Sequence, residues 1–295
     1  MNTDQLDDFP VAGASGPTVA RMMLGSQLRR FREAADVTPE RAAYVIRASR
    51  SKISRMENGR VGMKVRDVTD LLDLYGVTDE TERSAMMALA RQSGSSGWWA
   101  GYDDVMVDWL QDYIGLEAAA SGIRGFELQF VHGLFQTEDY AREVTLLGYA
   151  GAPDEEIDRR VDLRLRRQRL LDGPRPPHVW LVIDEAALRR PVGGTAVMRG
   201  QLKQLAERAG QPGVTIQVIP FERGAHAAAG GAFTLLRFGG TDVPDIVYLE
   251  QLTTALYLDK PEDTGRYAEA MAKLTVAALL PTETQDFLAR LRREI

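Results

Sequence analysis

The sequence predicts a mainly α chain with an α/β C-terminal part. Between residues 21 and 92, five short segments place apolar residues at helical spacing, with capping residues ahead of them and glycines behind. Residues 93–97 read SGSSG, a flexible joint. Beyond a second break at Gly173–Pro177, the strand-like runs HVWLVI (178–183) and VTIQVI (214–219) flank a helical segment, the pattern of a mixed α/β domain. The expected organisation is a disordered tail at 1–20, a five-helix domain at 21–92, a linker at 93–97 and a second domain at 98–295. That second domain reads as mostly helical over 98–172 and α/β over 173–295.

In chain order, the polar, Gly- and Asp-rich start gives way to a helix over about Val19–Ala35, with Leu24, Leu28 and Phe31 inward and Arg29, Arg30 and Arg32 on its other sides. Thr38 caps the second helix, Pro39 suits its first position, and Ala42, Ala43 and Ile46 form its inner side. Ser49 caps the third, which stops at Asn58-Gly59. On that helix Ser49, Ile53 and Met56 share the inward side, Ser51 and Arg55 point away, and Lys52 and Ser54 lie on the flanks. Val65, Val68, Leu71, Leu72 and Tyr75 make a fourth helix that ends at Gly76, and Glu80–Arg91 a fifth.

Charge is distributed unevenly. The whole chain carries −6, yet residues 21–66 hold twelve Lys or Arg against four Asp or Glu, a local +8. A basic module on an acidic body is the electrostatic footprint of a protein that meets nucleic acid with one end. Cysteine is absent, which excludes disulfides and thiolate metal sites. The start lacks a secretion signal, and no segment has about 18 uninterrupted apolar residues, so a cytoplasmic location is expected.

In the second part, Trp98 and Trp99 read as core or interdomain aromatics, followed by Val105, Trp109, Tyr113, Ile114 and Leu116 at helical spacing. Thr137 caps a helix that runs to Gly148. Residues 154–172 carry six arginines, Arg159, Arg160, Arg164, Arg166, Arg167 and Arg169, balanced by six acids, which predicts a solvated or partner-facing helix laced with i,i+4 pairs. A helix over Thr195–Ala209 follows the first strand. Further strands are expected at Phe233–Phe238, Ile246–Glu250 and Ala255–Leu258, with a Gly239-Gly240 turn, and two helices, Pro261–Leu280 and Glu283–Arg293, close the chain.

No catalytic constellation emerges. His132, His178 and His226 are scattered, with no HxxxH spacing, so no metal is expected. Asp184 and Glu185, followed by AALRR, read as the acidic first turn of a helix. The run GAHAAAGG (224–231) lacks the GK[ST] ending of a phosphate loop and does not fit GxGxxG, and GxSxG is missing; it reads as a hairpin or a ligand-covering loop. Neither a cofactor nor an enzymatic activity is expected.

The segments LGSQLRRFREAADVTPERAA and SRSKISRMENGR resemble the lambda-repressor-like, Xre-type helix-turn-helix family, with the S-x-I-S-R-x-E-x-G core at Ser51–Gly59. Pro39 stands where that family has glutamine, so the phosphate contact that the family makes there is lost or passes to Thr38 or Arg41. The remainder, through WWAGYDD, YIGLEAAA, VHGLFQTEDYA, DEAALRRPVGG, VTIQVIPFERGAH, GAFTLLRF and IVYLEQL, is similar to the effector domain of actinobacterial WhiJ-like regulators; His132 replaces a proline usual in that group. The resemblance implies a transcription factor, expected as a homodimer on palindromic double-stranded DNA, whose second domain answers to a small acidic partner protein encoded nearby. Ser51, Lys52, Ser54 and Arg55 would lie nearest the bases, and Thr38, Arg50, Arg60 and Lys64 nearer the phosphates. An antitoxin-like interaction module with secondary DNA binding, or a small-molecule-binding enzyme, are the alternatives.

Overall fold

The computed structural model describes residues 16–239 and 243–295; the reading of residues 1–15 as a tail, and most of the Gly239-Gly240 turn, lie outside them. Residues 17–20 correct that reading, because they already belong to the first helix. Contacts divide the chain into two compact units, each with its own core.

The first unit consists of α1 (Pro17–Ala34), α2 (Pro39–Val45), α3 (Arg50–Glu57), α4 (Val65–Leu74) and α5 (Glu80–Ser93). Its core gathers Leu24, Leu28, Ala42, Ala43, Ile53, Met56, Val68, Leu71 and Leu72. Side-chain caps start three of the helices: Thr38 Oγ1 accepts from Arg41 N (3.2 Å), Ser49 Oγ from Lys52 N (3.1 Å) and Asp79 Oδ1 from Glu82 N (2.8 Å).

One device ends α1 to α4. In each, the residue after the C-cap is left-handed and two reversed hydrogen bonds close the last turn; for α3 these are Gly59 N to Met56 O (3.0 Å) and Arg60 N to Arg55 O (2.8 Å). Gly59 and Gly76 adopt the left-handed conformation without a steric cost, but Asp36 (φ 52°) and Arg47 (φ 53°) do so as side-chain-bearing residues. Gly59 also lies so close to α1 that a Cβ would come within 2.7 Å of Met22 Cα. On α1 itself, a Cβ at Gly25 would stand 2.4 Å from the Met56 carbonyl oxygen. The two glycines let α1 and α3 touch backbone to backbone.

Arg32 corrects the sequence reading. It is buried, and its guanidinium forms a fork to Glu57, Nε to Oε1 at 2.6 Å and Nη2 to Oε2 at 3.0 Å, while Nη1 donates to Val37 O. The hydrogen bond to Glu57 raises the pKa of Arg32. The pair ties α1 to the C-terminal end of α3, where an unneutralised carboxylate would oppose the helix dipole.

The second unit is built on a six-stranded sheet of β1 (Gly122–Glu127), β2 (His178–Asp184), β3 (Val214–Ile219), β4 (Phe233–Arg237), β5 (Ile246–Glu250) and β6 (Ala255–Leu258), in the order β3-β2-β1-β4-β5-β6. β1, β2 and β3 are mutually parallel; the remaining pairs are antiparallel. The strand β1 falls within the region read as mostly helical, and it is the sheet's inner hinge, hydrogen-bonded to β2 on one side and β4 on the other. Its sequence, GIRGFE, has little strand propensity; at Gly125 a Cβ would come within 2.8 Å of Leu181 Cδ2, so that the end of the leucine side chain would have to move.

Helices α6 (Asp108–Ala119), α7 (Glu138–Gly148), α8 (Asp154–Gln168), α9 (Glu185–Arg189), α10 (Gly194–Arg208), α11 (Pro261–Ala277) and α12 (Pro281–Glu294) complete this unit. On one sheet face Phe126, Val182, Phe233, Leu235 and Val247 pack with Met271 and Leu274 of α11. Asp184 and Glu185 open α9 as expected: Asp184 Oδ1 accepts from Ala186 N (2.8 Å), and buried Glu185 accepts from Phe221 N (2.7 Å). Trp98 and Trp99, which belong to the first unit, are both buried, edge to face with ring centroids 5.9 Å apart.

The arginine-rich helix is not a solvated element. Arg167 and Glu117 of α6 form a buried fork, 2.9 Å at both contacts, and the guanidinium sits 5.2 Å from the Tyr113 ring centroid. Burial pulls the Arg167 pKa down, but the adjoining Glu117 carboxylate outweighs it and leaves the group above its ordinary value. Arg164 donates to Gln136 Oε1 (2.8 Å), with its pKa pushed down by burial to about 10. Arg160 reaches the Val105 carbonyl, and Arg159 binds Asp104 (2.6 Å) and Gly101 O (2.7 Å). His132, buried beside this cluster, accepts from Leu134 N (3.2 Å), and burial lowers its pKa to about 4.

Candidate nucleic-acid interface

Ile53 and Met56 fasten the recognition helix α3 into the core, and the intervening positions consequently face outward. Ser51, Ser54 and Arg55 are exposed, and Ser49, read as inward, is instead at the surface because as the N-cap it lies outside the helical turns. Among the described residues, the guanidinium of Arg55 has no ion pair, and neither do the side chains of Arg60 and Lys64, which follow on the exit from the helix. These are charges with spare hydrogen-bond donors. A guanidinium in that state suits bidentate contact with a guanine edge or a phosphate.

The other residues singled out from sequence are placed differently. Lys52 Nζ lies 3.1 Å from Asp67 Oδ2, tying α3 to α4. Arg50 pairs with Glu40 across the α2–α3 turn at 3.0 Å, both side chains exposed. An exposed pair of this kind contributes at most about 1 kcal/mol, so Arg50 can be drawn to a phosphate at small cost. The hydroxyl of Thr38 accepts from the backbone of Arg41, and this cap occupies it on the protein side.

Two groups escaped the sequence reading. Tyr44 projects from α2 with 74% of its surface exposed, and the Arg41 guanidinium lies 5.6 Å from its ring centroid. Its position between the inward Ala43 and Ile46 was a usable signal. Arg47 occupies the left-handed turn position and shares a cleft with Lys64, Arg66, Asp67, Asp70 and Asp73. No local pattern marks an arginine for that conformation, which glycine or asparagine usually fills.

The described residues contain no group of three or more His, Cys, Asp or Glu placed to hold a metal ion. His226 takes part in structure: its Nε2 is 3.4 Å from Asp184 Oδ2, its Nδ1 accepts from Ala228 N (3.3 Å), and its ring meets Phe126 edge to face. The glycine-rich segment 224–231 is thereby pinned to the end of β2. No described helix is long and apolar enough to cross a membrane.

Two short helices set at a left-handed turn, with the second offering an outward cationic face, define a helix-turn-helix protein, the class that binds DNA as regulators. Residues 23–86 match a family model described as a helix-turn-helix domain. Residues 110–290, more than half of the chain, match the family described as a domain of unknown function, DUF5753, and the chain belongs to that family. No curated protein and no solved structure matches it.

Proposed function

We propose that the protein is a cytoplasmic, sequence-specific transcriptional regulator, a homodimer that inserts α3 into the major groove of a palindromic site. The observation that supports this is the outward row of Ser51, Ser54 and Arg55, continued by Arg60 and Lys64, in which the cationic members have no ion pair among the described residues. Ser51, Ser54 and Arg55 lie nearest the bases. Arg60, Lys64 and Arg47 run along phosphates, joined by Arg50 once it leaves Glu40, and Lys52 acts first as the brace to Asp67 and second as a backbone contact. Thr38 remains at the α2 N-terminus, where helix N–H groups favour phosphate.

In this reading the second unit receives the signal and is not an enzyme. Its polar groups support that role, because the Arg167–Glu117 fork, the Asp184–His226 contact and the Glu185 carboxylate are all engaged in holding the fold. The WhiJ-like resemblance of this region favours repression of developmental or secondary-metabolism genes, relieved through a small acidic partner protein or a ligand. Selection of bound fragments from a random duplex pool, repeated with the product of a neighbouring small gene added, tests both levels. The expected result is an inverted repeat with half-sites about one helical turn apart, whose recovery changes when the partner is present. Enrichment of no sequence at all would sink the regulator reading; an unchanged yield with the small protein would sink only the partner.

A further inference from the structure

The two edges of the sheet are finished differently. At the β3 edge the outward groups of Val218 are taken: its N–H donates to buried Thr284 Oγ1 at 3.2 Å, and its carbonyl accepts from Leu279 N at 2.9 Å. The segment linking α11 and α12 therefore covers that edge at Val218. At the β6 edge nothing comparable occurs. The Gln251 N to Thr254 O bond (2.8 Å) closes a tight β5–β6 turn, and the register Glu250↔Ala255, Leu249↔Leu256 and Tyr248↔Tyr257 follows from it. Alternation along an antiparallel ladder then turns the N–H and C=O of Leu256 and Leu258 toward β5 and those of Ala255 and Tyr257 outward. Among the described residues, these outward groups make no backbone hydrogen bond. The same edge carries Leu256, 49% exposed, and Leu252 at the turn, 98% exposed. An open strand edge with apolar side chains is a template for pairing with another strand.

We infer that the occupant of the β6 edge is β6 of a second copy, paired antiparallel about a two-fold axis at Leu256 to make one sheet through both copies. The strand is complementary to itself in that register. Ala255 exchanges N–H and C=O with Tyr257 of the second copy, and Leu256 faces Leu256 at the close spacing of a non-hydrogen-bonded pair. Thr254, where the turn ends, falls opposite Leu258. No like charges meet. A two-fold arrangement closes on itself. The inference rests on the homodimer in the reading above and is independent of DNA contact.

Sedimentation equilibrium of the full chain at micromolar concentration tests it. The unaltered protein is expected to be a dimer. Leu256→Lys, which places like charges opposite each other, should weaken self-association at least tenfold, with an unchanged far-ultraviolet circular-dichroism spectrum showing that the fold is intact. Leu256→Glu should do the same, and an equimolar mixture of the two variants should re-form dimers. A monomeric unaltered protein, a Leu256→Lys variant that dimerises as before, or a mixture that stays monomeric would each overturn the inference. Arg55→Ala in the same assay separates it from the DNA reading: that variant should remain dimeric whatever happens to DNA binding.

Discussion

The outer side of α3 with its exit, in the first unit, and α8 of the second both carry basic side chains, and they use them in opposite ways. Around α3 the guanidinium of Arg55 and the charges of Arg60 and Lys64 are exposed and, among the described residues, without ion pairs. Along α8, Arg167 is locked to Glu117, Arg164 to Gln136, Arg160 to Glu156 and the Val105 carbonyl, and Arg159 to Asp104. Arginine content alone therefore does not locate a nucleic-acid face. Whether the guanidinium's donors are already spent decides it, since a guanidinium held by a buried carboxylate has nothing left for a phosphate.

The sharpest way to break that contrast is Arg167→Ala. It leaves Glu117 buried and unpaired, so denaturant unfolding of the second unit should show a loss of about 3 to 5 kcal/mol; a smaller loss than 1 kcal/mol would mean the fork is not structural. The neighbouring His132 adds a pH signature. Its pKa of about 4 in the folded protein lies below the ordinary 6.5, so the unfolded chain binds the extra proton between those values, and stability should fall as pH drops from about 6.5 to about 4. His132→Gln should flatten that portion of the stability curve, and an unchanged slope would remove the histidine from the account.

On the α3 side, Gly25→Ala is the next largest effect. The added methyl cannot share space with the Met56 carbonyl, so α3 must shift outward, with a cost of about 1 to 3 kcal/mol in stability. The same shift should weaken DNA binding although residue 25 lies on α1. Retention of both properties would show that α1 and α3 can separate freely. The smallest effect belongs to Arg159→Ala. With about 40% of the Arg159 side chain and 63% of the Asp104 side chain exposed, this pair should contribute less than about 1 kcal/mol to thermal stability, and DNA affinity should be unaffected.

Local physics explains which parts of this arrangement were legible in the sequence. Helix α3 was, because Ser49, Ile53, Met56 and Gly59 lie within about three helical turns of one another, and capping, periodicity and the left-handed stop are all short-range effects. The helices and strands after residue 173 were legible for similar reasons. The strand β1 was not: two glycines and an arginine in six residues give no periodic signal, and partners on β2 and β4, far away in sequence, hold it. Separation also hid the two charged forks. Within α8 the expected i,i+4 pairing exists, as Arg160–Glu156 at 2.7 Å, but Arg167 finds Glu117 fifty residues upstream and Arg32 finds Glu57 twenty-five residues downstream. Lys52 was assigned to the correct flank of α3, and only the folded chain brings Asp67 to it.

The most direct test of the distinction between spent and unspent arginines is fluorescence anisotropy on the duplex recovered by selection, with the unaltered chain, Arg55→Ala and Arg159→Ala side by side. Arg55→Ala should weaken binding by about 1 to 3 kcal/mol, a loss of about 5-fold to about 150-fold, at an unchanged melting temperature, while Arg159→Ala binds like the unaltered protein. Equal affinity for Arg55→Ala and the unaltered chain would contradict the assignment of α3 as the reading face.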